Sequence, residues 1–375
     1  MENKVCIILP IYNTDSEKLQ RCLNHLISKR FEVIIIDDCS TSLDTTLCLE
    51  KYTKRENFHI LRNEINLGAG EARRKGIKYL IDNNGFGAKY FGFIDSDDEI
   101  DEKKYLEFVD EVYNFKAKAG LARIKCYLSD NAIAGFNSRT YSDRKSIIDL
   151  TANPYILKMG PSILTCRLFS IDLADQFDIN YLAKAYEDTE ILYFIFALAN
   201  QIYISNKVVY YYYLHQDSLF FTNMRVTSSN GLKQILLSSD SRNTHFKNAG
   251  MYDNFRKPLT SLELTYYLQR LNRVLKSDEI ANKAEIAAYI IKLISIHIPD
   301  FEELFKSYQL LGLTDDKDYL KYTELNDLLN NFRALIKYKE YKDEISEHID
   351  GIPNDETQIL NLYDKSLVLK PKKRR

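Results

Sequence analysis

The amino-acid sequence predicts an α/β protein: a mostly parallel twisted sheet flanked by helices, followed by a helical C-terminal region. Three observations carry that expectation. Over roughly the first 100 residues, short β-branched runs alternate with segments whose apolar residues recur at helical spacing. The runs are apolar almost throughout, as suits strands covered on both faces. After about Asn230 such runs stop and helical periodicity takes over.

Each element follows in order. Val5–Leu9 is the first strand and ends at Pro10. Thr14 and Glu17 stand at capping-box spacing, and Leu19, Cys22, Leu23, Leu26 and Ile27 then recur at helical period. Phe31–Ile36 is a second strand, stopped by Asp37-Asp38-Cys39-Ser40. His59–Leu61 makes a shorter third. Ala72, Ile77, Leu80 and Ile81 mark a helix that leads to Asn83-Asn84-Gly85. Tyr90–Ile94 is a fourth strand, halted by Asp95-Ser96-Asp97-Asp98. Strand and helix in alternation imply helical crossovers between parallel strands. Further on, Thr189–Asn200 reads as a helix and Val208–Tyr213 as an aromatic strand. Leu259–Leu275, Ala281–Ile298 and Leu325–Tyr338 read as amphipathic or buried helices.

Composition excludes several classes. With 45% hydrophobic and 28% charged residues the chain is not wholly disordered. Lys and Arg total 51 against 53 for Asp and Glu, without the basic excess of a nucleic-acid binder. Six cysteines lie scattered with no CxxC pair, which reads as reduced thiols in a cytoplasmic protein. No signal-peptide pattern opens the sequence, and no apolar stretch reaches the ~18 residues that span a bilayer.

In open parallel sheets, ligands bind beyond the carboxyl ends of the strands. Three strand ends carry suitable residues: Pro10-Ile11-Tyr12-Asn13, Asp37-Asp38-Cys39-Ser40 and Asp95-Ser96-Asp97-Asp98. One acidic loop alone is most simply a solvated turn, but three on one sheet edge point to a site. A nicotinamide cofactor fits poorly. No glycines follow the first strand, and Arg73 stands where the third glycine after Gly68-Ala69-Gly70 is needed. The carboxylates of Asp95, Asp97 and Asp98 suit Mg²⁺ or Mn²⁺ held together with a substrate diphosphate.

These residues carry a resemblance. Val5–Asn13, Asp37–Ser40, Asn66-Leu67-Gly68 with Ala72-Arg73 and Gly76, and Phe93–Asp98 resemble the ordered signature of family 2 glycosyltransferases with the GT-A fold. Arg167-Leu168-Phe169, Tyr186-Glu187-Asp188-Thr189, and Tyr213 with His215 and Ser218 resemble its downstream half. The resemblance spans roughly the first 220 residues. It implies a metal-dependent, inverting enzyme that uses a UDP-sugar and a glycan or lipid-linked glycan acceptor. Pro10, Tyr12, Asn13 and Asp38 would hold the nucleotide base, Asp95 the ribose, and Arg73 the diphosphate unless it merely covers its helix. Asp97 would hold the metal, Asp98 is a second candidate for that place, and His215 is a further metal or diphosphate contact. Asp188 would be the catalytic base, with Glu187 orienting the acceptor or its partner. His25, His59, His245, His297 and His348 have no metal-like spacing and read as structural. Two positions depart from the family pattern. Arg74 stands where Asn is usual. Cys39 stands where Gly is common, which suggests a turn without positive φ.

The domain expectation is a catalytic domain over 1–230, divided into a nucleotide-sugar half (1–100) and an acceptor half (101–230). A helical domain would follow over 231–375. Five basic residues in Lys370-Pro371-Lys372-Lys373-Arg374-Arg375 suggest at most a weak, salt-sensitive contact with an anionic membrane face. Self-association of the helical region stays open. The composition hints at a bacterial origin, and family analogy suggests surface polysaccharide or lipooligosaccharide assembly. Two alternatives stand beside the transferase. One is a sugar nucleotidyltransferase, which would want a glycine-rich basic loop after the first strand. The other is a non-catalytic sugar-nucleotide-binding or scaffolding subunit, which would have no need of the acidic, base and His positions.

Overall fold

The computed structural model describes residues 2–128, 131–132, 146–152, 154, 157, 163–183, 186–214, 226–299 and 325–370. The chain forms two compact units, Met1–His215 and Gln216–Arg375. The first opens with β1 (Val5–Ile11), α1 (Ser16–Asn24), β2 (Phe31–Asp37), α2 (Leu43–Glu50), β3 (Phe58–Arg62), α3 (Ala69–Asp82) and β4 (Tyr90–Phe93). It continues through β5 (Glu99–Ile100), α4 (Glu102–Phe115), β6 (Ala119–Leu128), β7 (Asn131–Ala132) and β8 (Ser146–Asp149). β9 (Arg167–Ser170), α5 (Glu187–Ala199) and β10 (Gln201–Leu214) complete it.

These strands form one sheet in the order β3-β2-β1-β4-β9-β6-β10-β5, with β7 beside β6 and β8 beside β10. β3, β2, β1 and β4 run parallel, as the alternating pattern predicts. Beyond them the sheet is mixed. β9 is antiparallel to both β4 and β6, while β6 and β10 pair in parallel. The change follows from connectivity, because β9 is not reached from β4 by a simple helical crossover of the kind parallel neighbours need.

The centre of the sheet is dry. Val5–Leu9 and Val33–Ile36 expose no surface, and α3 packs against both β1 and β2. α3 approaches β1 closely at Gly76, where an added Cβ would stand 2.5 Å from Ile8 Cγ2. One helix start differs from expectation. Asp15, not Thr14, caps α1, its carboxylate accepting the N–H groups of Glu17 and Lys18 at 3.1 Å each. A carboxylate outcompetes a hydroxyl there by complementing the helix dipole. Thr14 instead shares a 2.6 Å hydrogen bond with Ser96.

The second unit is helical: α6 (Asn230–Asn248), α7 (Tyr252–Lys276), α8 (Lys283–His297), α9 (Leu325–Ile349) and α10 (Glu356–Ser366). α7 and α9 run well past the stretches that apolar spacing marks, with Pro258 accommodated inside α7. No helix among the described residues is long and apolar enough to cross a membrane. The basic run 371–375 lies outside the described residues.

Candidate functional site

The three polar loops meet at one edge of the sheet, because β2, β1 and β4 are parallel neighbours and each ends there. Asn13 ties two of them together. Its Oδ1 accepts the N–H groups of Thr41 (2.7 Å) and Ser42 (2.9 Å), and its own N–H donates to Ser40 Oγ at 2.9 Å. The residue sits at φ 49, a left-handed conformation that Asn tolerates better than most residues. Pro10 lies part-buried in β1 opposite Ile36. Tyr12 is 50% exposed, so its ring is offered to solvent rather than to the core.

Asp37 and Asp38 are both buried. Asp37 accepts the Ser40 N–H at 2.9 Å and an Arg62 guanidinium. Asp38 Oδ1 accepts from Asn63 Nδ2 (2.7 Å) and Leu67 N–H (3.0 Å), and Oδ2 from Gly68 N–H (2.7 Å) and Leu67 N–H (3.1 Å). The carboxylate thereby pins the turn that starts α3, and a base contact through it requires one of these donors to let go. Cys39 corrects a sequence expectation: its φ is 66, the positive value that a glycine would have signalled. The Ser40 N–H to Asp37 hydrogen bond, which spans residue 39, holds the turn in that shape despite the Cβ.

The acidic loop after β4 divides its labour. Asp98 is fully buried, with Oδ2 accepting from the Tyr210 hydroxyl (2.7 Å) and Oδ1 from the Tyr213 N–H (2.8 Å). Burial first, then Asp97 and Asp95, push its pKa well above the usual carboxylate range against those two donors. Asp97 is part-exposed at the loop tip. Asp95 points the other way, to α3.

There the Arg73 guanidinium gathers three carboxylates. Nη2 donates to Asp95 Oδ1 at 2.7 Å, while Nη1 donates to Glu187 Oε1 at 2.8 Å and Asp188 Oδ1 at 3.1 Å. Arg73 is 4% exposed, so it does not cover its helix surface, and both terminal nitrogens already face carboxylates. Asp188 Oδ2 accepts the Leu164 N–H at 3.0 Å. Burial, reinforced by Glu187 and Asp95, raises Asp188 to about 7 although Arg73 and the Leu164 N–H oppose the shift. Glu187 and Asp188 open α5, where carboxylates suit the helix dipole, and Tyr186 just before them sits at φ 67. Tyr181 packs over Gly70 and shields the cluster, since a Cβ on residue 70 would stand 3.1 Å from its ring.

Residues 6–165, which carry all three loops, match the family model described as glycosyl transferase family 2. Over this segment the chain resembles family 2 glycosyltransferases. The chain is 25% identical over 227 residues to a poly(ribitol-phosphate) beta-glucosyltransferase of Bacillus spizizenii, covering 57% of this chain and 33% of that protein. Against the poly(ribitol-phosphate) beta-N-acetylglucosaminyltransferase TarS of Staphylococcus aureus it is 32% identical over 117 residues, 29% of this chain and 19% of TarS. The chain thus spans a third or less of the length of these relatives. The crystal structure of S. aureus TarS 1–349 in complex with UDP superposes with a TM-score of 0.52 at 20% identity, over 90% of this chain and 92% of that one. The GT-A architecture is therefore shared, together with a helical C-terminal region.

Within the domain the structure brings Pro10, Tyr12, Asn13, Asp38, Asp95, Asp97 and Asp98 to one edge and joins Asp95 to Glu187 and Asp188 through Arg73. His215 lies outside the described residues. Among the described residues, no three His, Cys, Asp or Glu side chains stand together as ligands for one metal ion. His59 stacks on Phe86 at 4.3 Å, and His297, in the helical unit, faces Glu263 and Glu356. Sequence reading overlooked Tyr210 and Tyr212. Both lie on one face of β10, Tyr210 against Asp98, and Tyr212 with its pKa raised by burial and by Asp98, Asp95, Asp97 and Asp188. Strand alternation places the two together, but nothing local tells which face meets the acidic loop.

Proposed function

We propose that the first unit is an inverting glycosyltransferase that moves a sugar from a UDP-sugar to a hydroxyl group of a bacterial surface glycopolymer. The observation that carries this reading is Asp188, a largely buried carboxylate whose pKa is pushed up to about 7, bridged by Arg73 to the donor-side loop. A general base works best with a pKa near the working pH. Asp188 takes the proton of the acceptor hydroxyl as that oxygen bonds to the anomeric carbon. The bond from that carbon to the diphosphate oxygen breaks on the opposite face, and the nucleotide diphosphate leaves with the electron pair. One in-line displacement inverts the anomeric centre.

The donor reading is supported by the exposed ring of Tyr12 beside Pro10 and Asn13, which with Asp38 would form the base end, while Asp95 would serve the ribose. UDP is the nucleotide seen in the structurally similar TarS complex. Mn²⁺ or Mg²⁺ fits the oxygen donors of the acidic loop, since such ions take one or two carboxylates and complete their shell with phosphate and water. Asp97 would hold it, with Asp98 braced behind and His215 as a further contact. When bound, the ion offsets charge on the departing diphosphate.

The acceptor is assigned to residues 101–230 and the donor to 1–100, with 231–375 as a helical domain. The named activities of the relatives favour a polyol-phosphate polymer as acceptor. Cytoplasmic location, with a weak contact between the basic C-terminus and an anionic membrane face, suits such a polymer.

The test incubates the protein with Mn²⁺ and UDP-, GDP- and CMP-sugars and reads released nucleotide, with and without ribitol-phosphate oligomers. Hydrolysis of one UDP-sugar that stops on chelation, and falls in Asp97→Asn, is the expected result. Asp188→Asn should bind that donor and fail to transfer. Absence of UDP binding with metal present overturns the reading in favour of a scaffolding role.

A further inference from the structure

Arg73 is buried at the sheet edge. It does not lie along the helix surface, and its two terminal nitrogens do not face open space. They hold Asp95, 22 residues away, and Glu187 and Asp188, 114 and 115 residues away. No other cation is seen within 4 Å of these three carboxylates among the described residues.

We infer that Arg73 is the positioning residue of this site: its guanidinium fixes the base Asp188 relative to Asp95, and so sets the span between acceptor and donor. The inference rests on the transfer reading above and deepens it. Two features make the arrangement rigid. The guanidinium is planar, with donors in a fixed fork, so binding Asp95 on Nη2 determines where Nη1 points. Asp188 is held at its other oxygen by the Leu164 N–H, which leaves it no free rotation about Arg73. α3, which carries Arg73, is seated on β1 through Gly76, so the fork is anchored to the centre of the sheet. Asp95 is likewise anchored, its N–H donating to the Tyr210 hydroxyl at 3.1 Å.

The charge balance gives Arg73 a second effect. Three carboxylates face one cation beside Tyr181, and Asp188 also feels Glu187 and Asp95, with Tyr212 close by. An opposite charge at this range favours the ionised form of Asp188, the form that accepts a proton.

The experiment compares wild type, Arg73→Gln and Arg73→Lys. It reads UDP affinity, the kcat and KM of UDP-sugar hydrolysis across the neutral pH range, and carboxyl-carbon NMR titration of ¹³C-Asp-labelled protein, with Asp188→Asn to assign the resonance. Arg73→Gln should keep UDP affinity within a few-fold and lose on the order of 10²-fold in kcat, the scale of a small misplacement of reacting groups. Its acid limb and the Asp188 resonance should both move to higher pH by roughly 1–3 units. Arg73→Lys should return the limb toward wild type and keep part of the kcat loss, because an ammonium lacks the fork.

An unchanged kcat and limb in Arg73→Gln would overturn the inference. So would a loss confined to UDP affinity, which would make Arg73 a donor-binding residue. If Arg73→Gln does not fold, Arg73→Lys decides alone, and wild-type kinetics there overturn the inference. A wild type that binds no UDP sinks the transfer reading instead, and the NMR titration still reports whether Arg73 governs Asp188.

Discussion

The hydroxyl of Tyr210 donates to Asp98 Oδ2 at 2.7 Å and accepts the Asp95 N–H at 3.1 Å. One phenol on β10 thus braces both ends of the acidic loop that follows β4. With Tyr213 N–H on its other oxygen, Asp98 is a structural anchor that leaves Asp97 at the tip. Removing the hydroxyl while keeping the ring isolates this brace. Tyr210→Phe leaves a buried carboxylate oxygen and a backbone N–H without partners, a loss of about 1–3 kcal/mol in denaturant unfolding. UDP-sugar KM should rise several-fold with it, and an unchanged unfolding midpoint would show that the brace carries no weight.

Asp188 makes the protein less stable as pH rises. Its folded value, about 7, lies above the ordinary 3.8, so the folded protein holds a proton that the unfolded chain releases. That stabilisation is full below about pH 4 and is lost as pH rises through 7. Asp188→Asn removes the charge and should raise stability at alkaline pH by about 1–3 kcal/mol, since each pH unit is worth about 1.4 kcal/mol and a weaker bond to Arg73 offsets part. Melting curves at acid and alkaline pH check the sign, which must vanish in acid. Transfer should fall in wild type as pH drops below 7, where the base is protonated.

Cys39 holds a left-handed backbone at φ 66 with a side chain that is only part-buried. Cys39→Gly should therefore stabilise the domain by about 1 kcal/mol, because glycine adopts this region without a Cβ penalty. Greater unfolded-state freedom works against the gain. A lowered melting temperature would mean that the thiol's contact with the Glu64 carbonyl, 3.2 Å away, outweighs the strain.

Gly76 is where α3 meets β1. Gly76→Ala drives a Cβ to 2.5 Å from Ile8 Cγ2 in a core with no room to yield, a loss of about 1–3 kcal/mol. Because Arg73 lies one turn earlier on α3, kcat should fall more than the stability loss alone accounts for. Ile8→Ala in the same chain, which removes the Cγ2 methyl at its own cost in stability, should restore part of the kcat. Equal activity in Gly76→Ala and wild type would show that α3 can shift without moving Arg73.

Much of the donor side was legible as a string of residues. The strands that end at Pro10, Ile36 and Ile94, and the polar loops after them, are local patterns, and parallel alternation puts those loops on one edge. The acceptor side was less legible. β9 joins the sheet antiparallel through long-range pairing, and Tyr210 is distinguishable from Tyr211 only once the face toward Asp98 is known. Cys39 misled because local preference favours glycine at positive φ, whereas a neighbouring hydrogen bond enforced that shape on a cysteine.

Periodicity, caps and motif order depend on neighbours within a few residues, so the sequence alone determined the alternating parallel half, the helical C-terminal region and the acidic residues at the strand ends. The fate of each carboxylate was decided only by tertiary structure. Asp98 is buried under Tyr210, Asp38 is spent on the turn before α3, and Asp188 is bound to Arg73 across 115 residues of chain. Charge and hydrogen bonding act through space at a few ångströms, and which groups come that close is set by the packing of α3, α5 and β10 around the sheet edge.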